Sequence, residues 1–218
     1  MGDEHKTSAR PKRKYDSTRR SQQAADTRRR IVAAAAECFA ELGYGRTTMG
    51  RIAERAGVSV ESVNLNGPKR ALLIAAFSQA FVGEETEEGL EAGVYAGLLD
   101  LADRHEFVQR AADVVLAGQR AGIGIWRAVA AAAIEEPEVA ELTAALAQRR
   151  RRDMLTFCRS LADKGWLADD RPLEEVADTA ALLLGFDPYQ LYVLDFGLPE
   201  ERLRAWFVDM VERTVLKG

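Results

Sequence analysis

Apolar residues in this chain recur at three- and four-residue intervals, and glycines and prolines punctuate them in one consistent order. Ile31, Ala35, Phe39 and Leu42 fall on one helical face. Gly43 follows, where a residue without a Cβ takes the left-handed conformation cheaply. Pro68, Pro137, Pro172 and Pro199 stand where later helices are expected to open, and Gly165 where one closes. The spacing predicts helices over 92–103, 105–121, 125–134, 137–163, 172–186 and 199–216, with Gly122 and Gly124 breaking the second from the third. No run alternates as a half-buried strand does, and no repeat of roughly 20–50 residues occurs. The expected fold class is all-α.

A chain of 218 residues with 47% apolar and 29% charged side chains has the composition of a globular protein. It is long enough to bury roughly 70% of its unfolded surface without staples. Its two cysteines, Cys38 and Cys158, are too few for a disulfide scaffold or a thiolate metal site, and are expected to act as small packing residues in a reducing cytoplasm. No apolar run is longer than Ala128 to Ile134, far short of a membrane span, and the basic N-terminus is not followed by the apolar core of a secretory signal.

The net charge of −4 hides an asymmetry. Residues 1–70 hold 15 Lys or Arg against 8 Asp or Glu, a net of +7, which leaves −11 for residues 71–218. One end of the chain therefore suits a polyanion. Residues 1–22, rich in basic and small polar residues, read as a disordered basic arm. The stretch after Leu42 carries a sharper signal. Thr47 and Thr48 offer hydroxyls to cap a helix whose inner face is Met49, Ile52, Ala53 and Ala56. Gly57 makes the turn, and Ser59 can cap a short helix reaching about Leu65, anchored inward by Val58 and Val63. That is a helix-turn-helix pattern: the turn must be small enough for two helices to cross closely, and the second helix must show a polar face to base edges. Ser59, Val60, Glu61, Ser62 and Asn64 form that face.

The run Thr27 to Ser59, "TRRRIVAAAAECFAELGYGRTTMGRIAERAGVS", resembles the TetR family of transcriptional regulators, and the likeness extends over about residues 24–82. More weakly, Trp126 to Leu216 is similar to the ligand-binding and dimerisation half of family members common in actinobacteria. The resemblance implies an N-terminal helix-turn-helix domain (23–70) and a helical ligand-binding and dimerisation domain (71–218). It implies double-stranded DNA as one partner, a second copy of the chain as another, and a small-molecule effector as a third, with no membrane partner and no cofactor. Ser59, Val60, Glu61 and Ser62 become groove-facing candidates, with Glu61 either accepting from a cytosine amine or simply solvated. Thr47 or Thr48 either touches phosphate or only caps, and Arg28 and Arg46 add basic charge nearby. The family's recognition helix ends in a Tyr and, after two residues, a Phe; here Asn64 and Gly67 take those places and the exit is one residue shorter. Backbone contact there is left to Asn64, Asn66 and Lys69, the last matching the family lysine. Pocket candidates by the resemblance are Trp126, Met154, Phe157, Trp166, Phe186, Tyr189 and Tyr192. The family pattern assigns a dimer face to the last two helices, through Val176, Leu183, Leu203, Phe207, Met210 and Val211.

Catalysis has little to stand on. His5 and His105 are the only histidines, so no His-based triad or two-His metal motif can form, and Gly122-Ile123-Gly124 lacks the preceding strand of a nucleotide loop. Glu84, Glu85, Glu87 and Glu88 read as a solvated link and Arg149 to Arg152 as a solvated turn. The expected function is a ligand-responsive, homodimeric DNA-binding regulator, with an effector-independent, basic-armed architectural protein as its rival.

Overall fold

The computed structural model describes residues 13–81 and 96–217, and most of these are helical. The helices are α1 (Arg13–Arg46), α2 (Met49–Ala56), α3 (Val60–Asn64), α4 (Lys69–Phe81) and α5 (Ala96–Leu99). They continue with α6 (Arg104–Ala132), α7 (Pro137–Asp163), α8 (Leu173–Leu183), α9 (Asp187–Tyr189) and α10 (Glu200–Thr214). A π-helical turn, Gln190–Asp195, follows α9. The expected arm lies outside the described residues over 1–12, but residues 13–22 are helical and extend α1. The Glu-rich link and the start of the helix expected over 92–103 also lie outside the described residues.

Local chemistry accounts for the N-terminal boundaries. Gly43 adopts φ 74 and kinks α1 one turn before its end. Thr48 caps α2 by accepting from the Arg51 amide, and Gly57 ends it in the left-handed region at φ 64. Ser59 caps α3 by accepting from the Ser62 amide at 3.1 Å. Pro137 opens α7 as the sequence predicts.

The helices bury their apolar stripes in connected cores. The first gathers Ile31, Ala35 and Phe39 of α1, Ile52 of α2, Val63 of α3 and Leu72 of α4. It does not close on itself: Ile125 and Val129 of α6 and Val139 of α7 belong to the same core. The second packs α5 to α8 and α10 around Phe107, Cys158, Leu161 and Val176. A third, smaller group around Leu116, Phe186, Tyr189 and Leu203 joins them along α6.

Two expectations are corrected by this packing. Gly122 and Gly124 do not break a helix, because α6 runs unbroken from Arg104 to Ala132. Gly124 instead lets α1 and α6 touch: a Cβ there would stand 2.9 Å from the Ala40 Cβ and 3.2 Å from its Cα. Gly124→Ala is therefore expected to lose about 2 kcal/mol to overpacking, the clash outweighing alanine's better helix propensity, read as a lower urea midpoint at unchanged slope. The expected dimer face is also revised. Val176, Leu183, Leu203, Phe207 and Val211 are buried inside the chain's own bundle and Met210 packs half-buried beside them. An amphipathic helix spends its apolar stripe on its own core first, so these residues are not available to a partner.

The π turn has no sequence signal, since its i→i+5 bonds carry no 3.6-residue period. Tyr192 within it packs on Trp206 of α10 with centroids 5.2 Å apart. The end of the chain is tied back by an antiparallel bridge between Leu167 and Leu216, with the Lys217 amide donating to the Trp166 carbonyl at 2.7 Å. Among the described residues no helix is long and apolar enough to cross a membrane.

Candidate nucleic-acid interface

The five residues of α3 are held to the molecule by Val63 alone, which is fully buried, while Val58 packs partly buried just before the helix. Ser59, Val60, Glu61 and Asn64 are exposed around it. Ser62 is half-buried, its hydroxyl hydrogen-bonded to that of Ser59 at 2.9 Å, so this pair stiffens the first turn. A helix of this length spans roughly 8 Å and fits within a major groove about 12 Å wide. Leu65 just past it is 83% exposed and Val60 46% exposed, two apolar surfaces of the kind that meet a thymine methyl. Leu65 was not among the sequence candidates; a leucine at the end of an amphipathic helix reads as an anchor until the tertiary structure turns it outward.

The flanking candidates divide. Thr48 is exposed at the N-terminus of α2, and Arg28 and Arg46 are exposed on α1, with the Arg46 Nε donating to its own Leu42 carbonyl at 3.0 Å. Thr47 is corrected: it is 1% exposed, and its hydroxyl donates to the Gly43 and Cys38 carbonyls at 2.8 and 3.1 Å. It braces the kink in α1 from inside and presents nothing to a phosphate. Asn66 is half-buried and works as a bracket, donating to the Ser62 carbonyl at 2.7 Å and accepting from Arg28 at 3.5 Å. Gly67 leaves α3 at φ 114, a conformation that favours glycine, and this sharp exit stands where the family has an aromatic side chain.

Lys69 begins α4 but turns inward. Its ammonium donates to the Tyr44 carbonyl at 3.1 Å and lies 4.0 Å over the Tyr44 ring. Lysine has three donors, so this contact leaves capacity for a phosphate while holding the side chain in place. Tyr44 is the hub of the junction between the helix-turn-helix end and the rest of the molecule. Its ring stacks on Phe39 at 6.0 Å, and its hydroxyl donates to Glu136 at 2.7 Å, just before α7. Burial, and then that hydrogen bond, push its hydroxyl pKa well above the ordinary value. Arg70 adds a second tie to Glu138 at 2.6 Å, holding that carboxyl below its usual range. Arg55 pairs with Glu41 at 2.7 Å.

In the C-terminal half a narrow apolar cavity, partly open to solvent, runs between α5, α6, α7, α8 and α10. Met154 and Phe157 are among its lining residues. The other aromatic candidates are not. Trp166 packs against Phe107 at 5.6 Å, Trp126 stacks on Phe186 at 5.4 Å, and Tyr189 and Tyr192 sit in the third core. Leu183, Phe207 and Val211, expected at a dimer face, line the cavity instead. Aromatic size alone does not separate a pocket wall from a core filler. Both thiols are buried, and burial raises them, Cys158 to about 11, so neither is a nucleophile at neutral pH. No metal-binding cluster of His, Cys, Asp or Glu occurs among the described residues.

Residues 31–66, which span the end of α1 through α3, match the model for bacterial regulatory proteins of the tetR family. No curated protein is similar enough in sequence to match the chain. Several solved structures share its fold at low identity. A proposed transcriptional regulator from Saccharomonospora viridis in complex with choline is 20% identical, with a TM-score of 0.69 over 89% of this chain and 100% of its own. The SmeT–triclosan complex, SmeT being the repressor of the SmeDEF multidrug efflux pump of Stenotrophomonas maltophilia, is 19% identical with a TM-score of 0.61 over 88% and 93%. NalD of Pseudomonas aeruginosa, the secondary repressor of the MexAB-OprM efflux pump, is 16% identical with a TM-score of 0.62 over 90% and 98%. The helix-turn-helix stretch thus carries the sequence pattern of the tetR family of bacterial regulatory proteins, and the chain as a whole shares the fold of these solved regulators.

Proposed function

We propose that the chain is a homodimeric repressor that binds a palindromic operator through α3 and is released by a small molecule held in its C-terminal half. The observation that carries the reading is the construction of α3: a capped five-residue helix held by one buried valine, with its other faces exposed. In this reading Ser59, Val60, Glu61 and Asn64 face the groove, and Arg28, Arg46, Thr48 and Lys69 meet phosphates. The related folds crystallised with choline and with triclosan support an effector in the body. The protein would act in the cytoplasm, where the DNA is.

The coupling has a physical route. Because α6 and α7 share the first core with α1 to α4, a ligand that repositions α6 must reposition the DNA-facing end as well. The aromatic line Phe186–Trp126–Phe77 joins the region after α8 to α4 with centroids 5.4 and 6.0 Å apart. A ligand changes DNA affinity only by preferring one placement over the other. For the partner copy, the exposed apolar residues Leu182, Leu191, Leu194 and Phe196 are better candidates than the buried stripe.

The test is selection of fragmented genomic DNA by the purified protein at physiological salt. One short palindrome is expected to be enriched, with half-sites about 34 Å apart or a multiple of that. Uniform, salt-sensitive recovery of all fragments would overturn the reading in favour of a DNA-coating protein.

A further inference from the structure

Val63 is the one buried residue of α3, and it fixes which side of the helix points out. Glu61 stands two residues before it and Leu65 two residues after, and at about 100° per residue both project almost directly away from the core. Leu65 keeps helical backbone angles, φ −64 and ψ −19, and its amide donates to the Glu61 carbonyl at 3.0 Å, so the two residues form one row, a turn apart. Both are exposed, Leu65 to 83%. The outermost ridge of α3 is therefore one carboxylate and one hydrocarbon side chain. Val60, three residues before Val63, lies nearer the anchor's side and is 46% exposed, so Leu65 is the more outward of the two apolar residues.

We propose that Leu65 reads the C5 methyl of a thymine and that Glu61 reads a cytosine within about two base pairs of it. The inference rests on the regulator reading above and adds the base content of the half-site to it. From Val58 to Asn66 there is no Lys or Arg, so the bidentate contact to guanine, the commonest specific one, is not available from this helix. A leucine side chain has no donor or acceptor, so a phosphate or the polar edge of a base gives it nothing. The thymine methyl is the only methyl group in the major groove, and covering it removes both surfaces from water. A carboxylate only accepts. Cytosine presents its N4 amine to it, whereas guanine presents the O6 and N7 acceptors and repels it, and adenine sets the N7 acceptor beside its amine. Four residues of helix advance about 6 Å, close to two base steps of about 3.4 Å, which sets the spacing of the pair.

The experiment starts from the palindrome enriched by the full-length protein. Anisotropy titrations compare that duplex with copies in which each thymine in turn, in one half-site or in both, is replaced by deoxyuridine, which removes only the C5 methyl. One thymine position is expected to stand out, with affinity falling about fourfold for one half-site and roughly fifteenfold for both. Leu65→Ala should weaken binding to the thymine operator by a similar factor and no longer distinguish thymine from deoxyuridine at that position. The side chain is exposed, so this variant is expected to fold as the unaltered chain does. Glu61→Ala should lose discrimination at a cytosine no more than two base pairs away. Equal affinity for thymine and deoxyuridine at every position overturns the Leu65 assignment, and so does a deoxyuridine effect that Leu65→Ala leaves intact. Full cytosine preference retained in Glu61→Ala overturns the Glu61 assignment. Uniform recovery of all fragments in the selection overturns the regulator reading and this inference with it. An enriched palindrome that tolerates deoxyuridine everywhere overturns this inference alone.

Discussion

Val63→Asp is expected to abolish sequence-specific DNA binding while leaving the C-terminal body folded. Val63 is fully buried, and α3 has no other buried residue. A carboxylate at that position faces Ile52, Leu72 and the rest of the first core, where it must either protonate or drag the helix into water. Either course costs roughly 3–5 kcal/mol, well beyond what a five-residue helix can recover by itself. Anisotropy titration with the selected operator should show at least a hundredfold loss of affinity. Trp166 and Trp206 pack against the second core, away from Val63, so most of the tryptophan fluorescence should stay close to that of the unaltered protein. Val63→Ala, which removes two methyl groups, should cost about 2 kcal/mol and weaken binding only partly. Retention of full affinity by Val63→Asp would remove α3 from the reading surface.

Tyr44→Ala should be the most destabilising single truncation at the junction. It removes a 7%-exposed ring that stacks on Phe39, supports the Lys69 ammonium and carries the hydroxyl bonded to Glu136. Loss of a buried aromatic costs about 3–5 kcal/mol, which for a chain of this size lowers Tm by roughly 10 °C. Tyr44→Phe separates the hydroxyl from the ring. It should cost only about 1 kcal/mol, because the half-buried Glu136 can turn to water. The pH dependence distinguishes the two contributions. The Tyr44 hydroxyl titrates higher in the folded chain than in the unfolded one, so its contribution is fully present below the unfolded value, about pH 10, and drains as pH rises beyond it. The unaltered protein should therefore lose stability between pH 10 and 12 more steeply than Tyr44→Phe. Parallel curves would mean that the hydroxyl is not held as described.

Much of the helix-turn-helix end was legible in the sequence. The caps at Thr48 and Ser59, the left-handed Gly57 and the anchor Val63 are local devices, settled by residues within one or two turns of each other. The TetR resemblance rests on the same short-range pattern, which is why it covers this part of the chain best. The failures depend on contacts that periodicity and capping do not register, some of them distant in the chain. Gly124 reads as a break because glycine weakens helices, and only contact with Ala40 reveals it as a close approach. Thr47 looks like a cap until Cys38 and Gly43 claim its hydroxyl.

The sequence by itself determined the helix-turn-helix, most helix termini and the all-α class, because helix periodicity and terminal capping act over a few residues. The tertiary structure alone decided which apolar stripes face the core, which line the cavity and which remain outside. An amphipathic face specifies that it must be buried but not against what. Leu183, Phe207 and Val211 could equally have met a second copy of the chain, and the way α6, α7, α8 and α10 come together turned them inward around an apolar space.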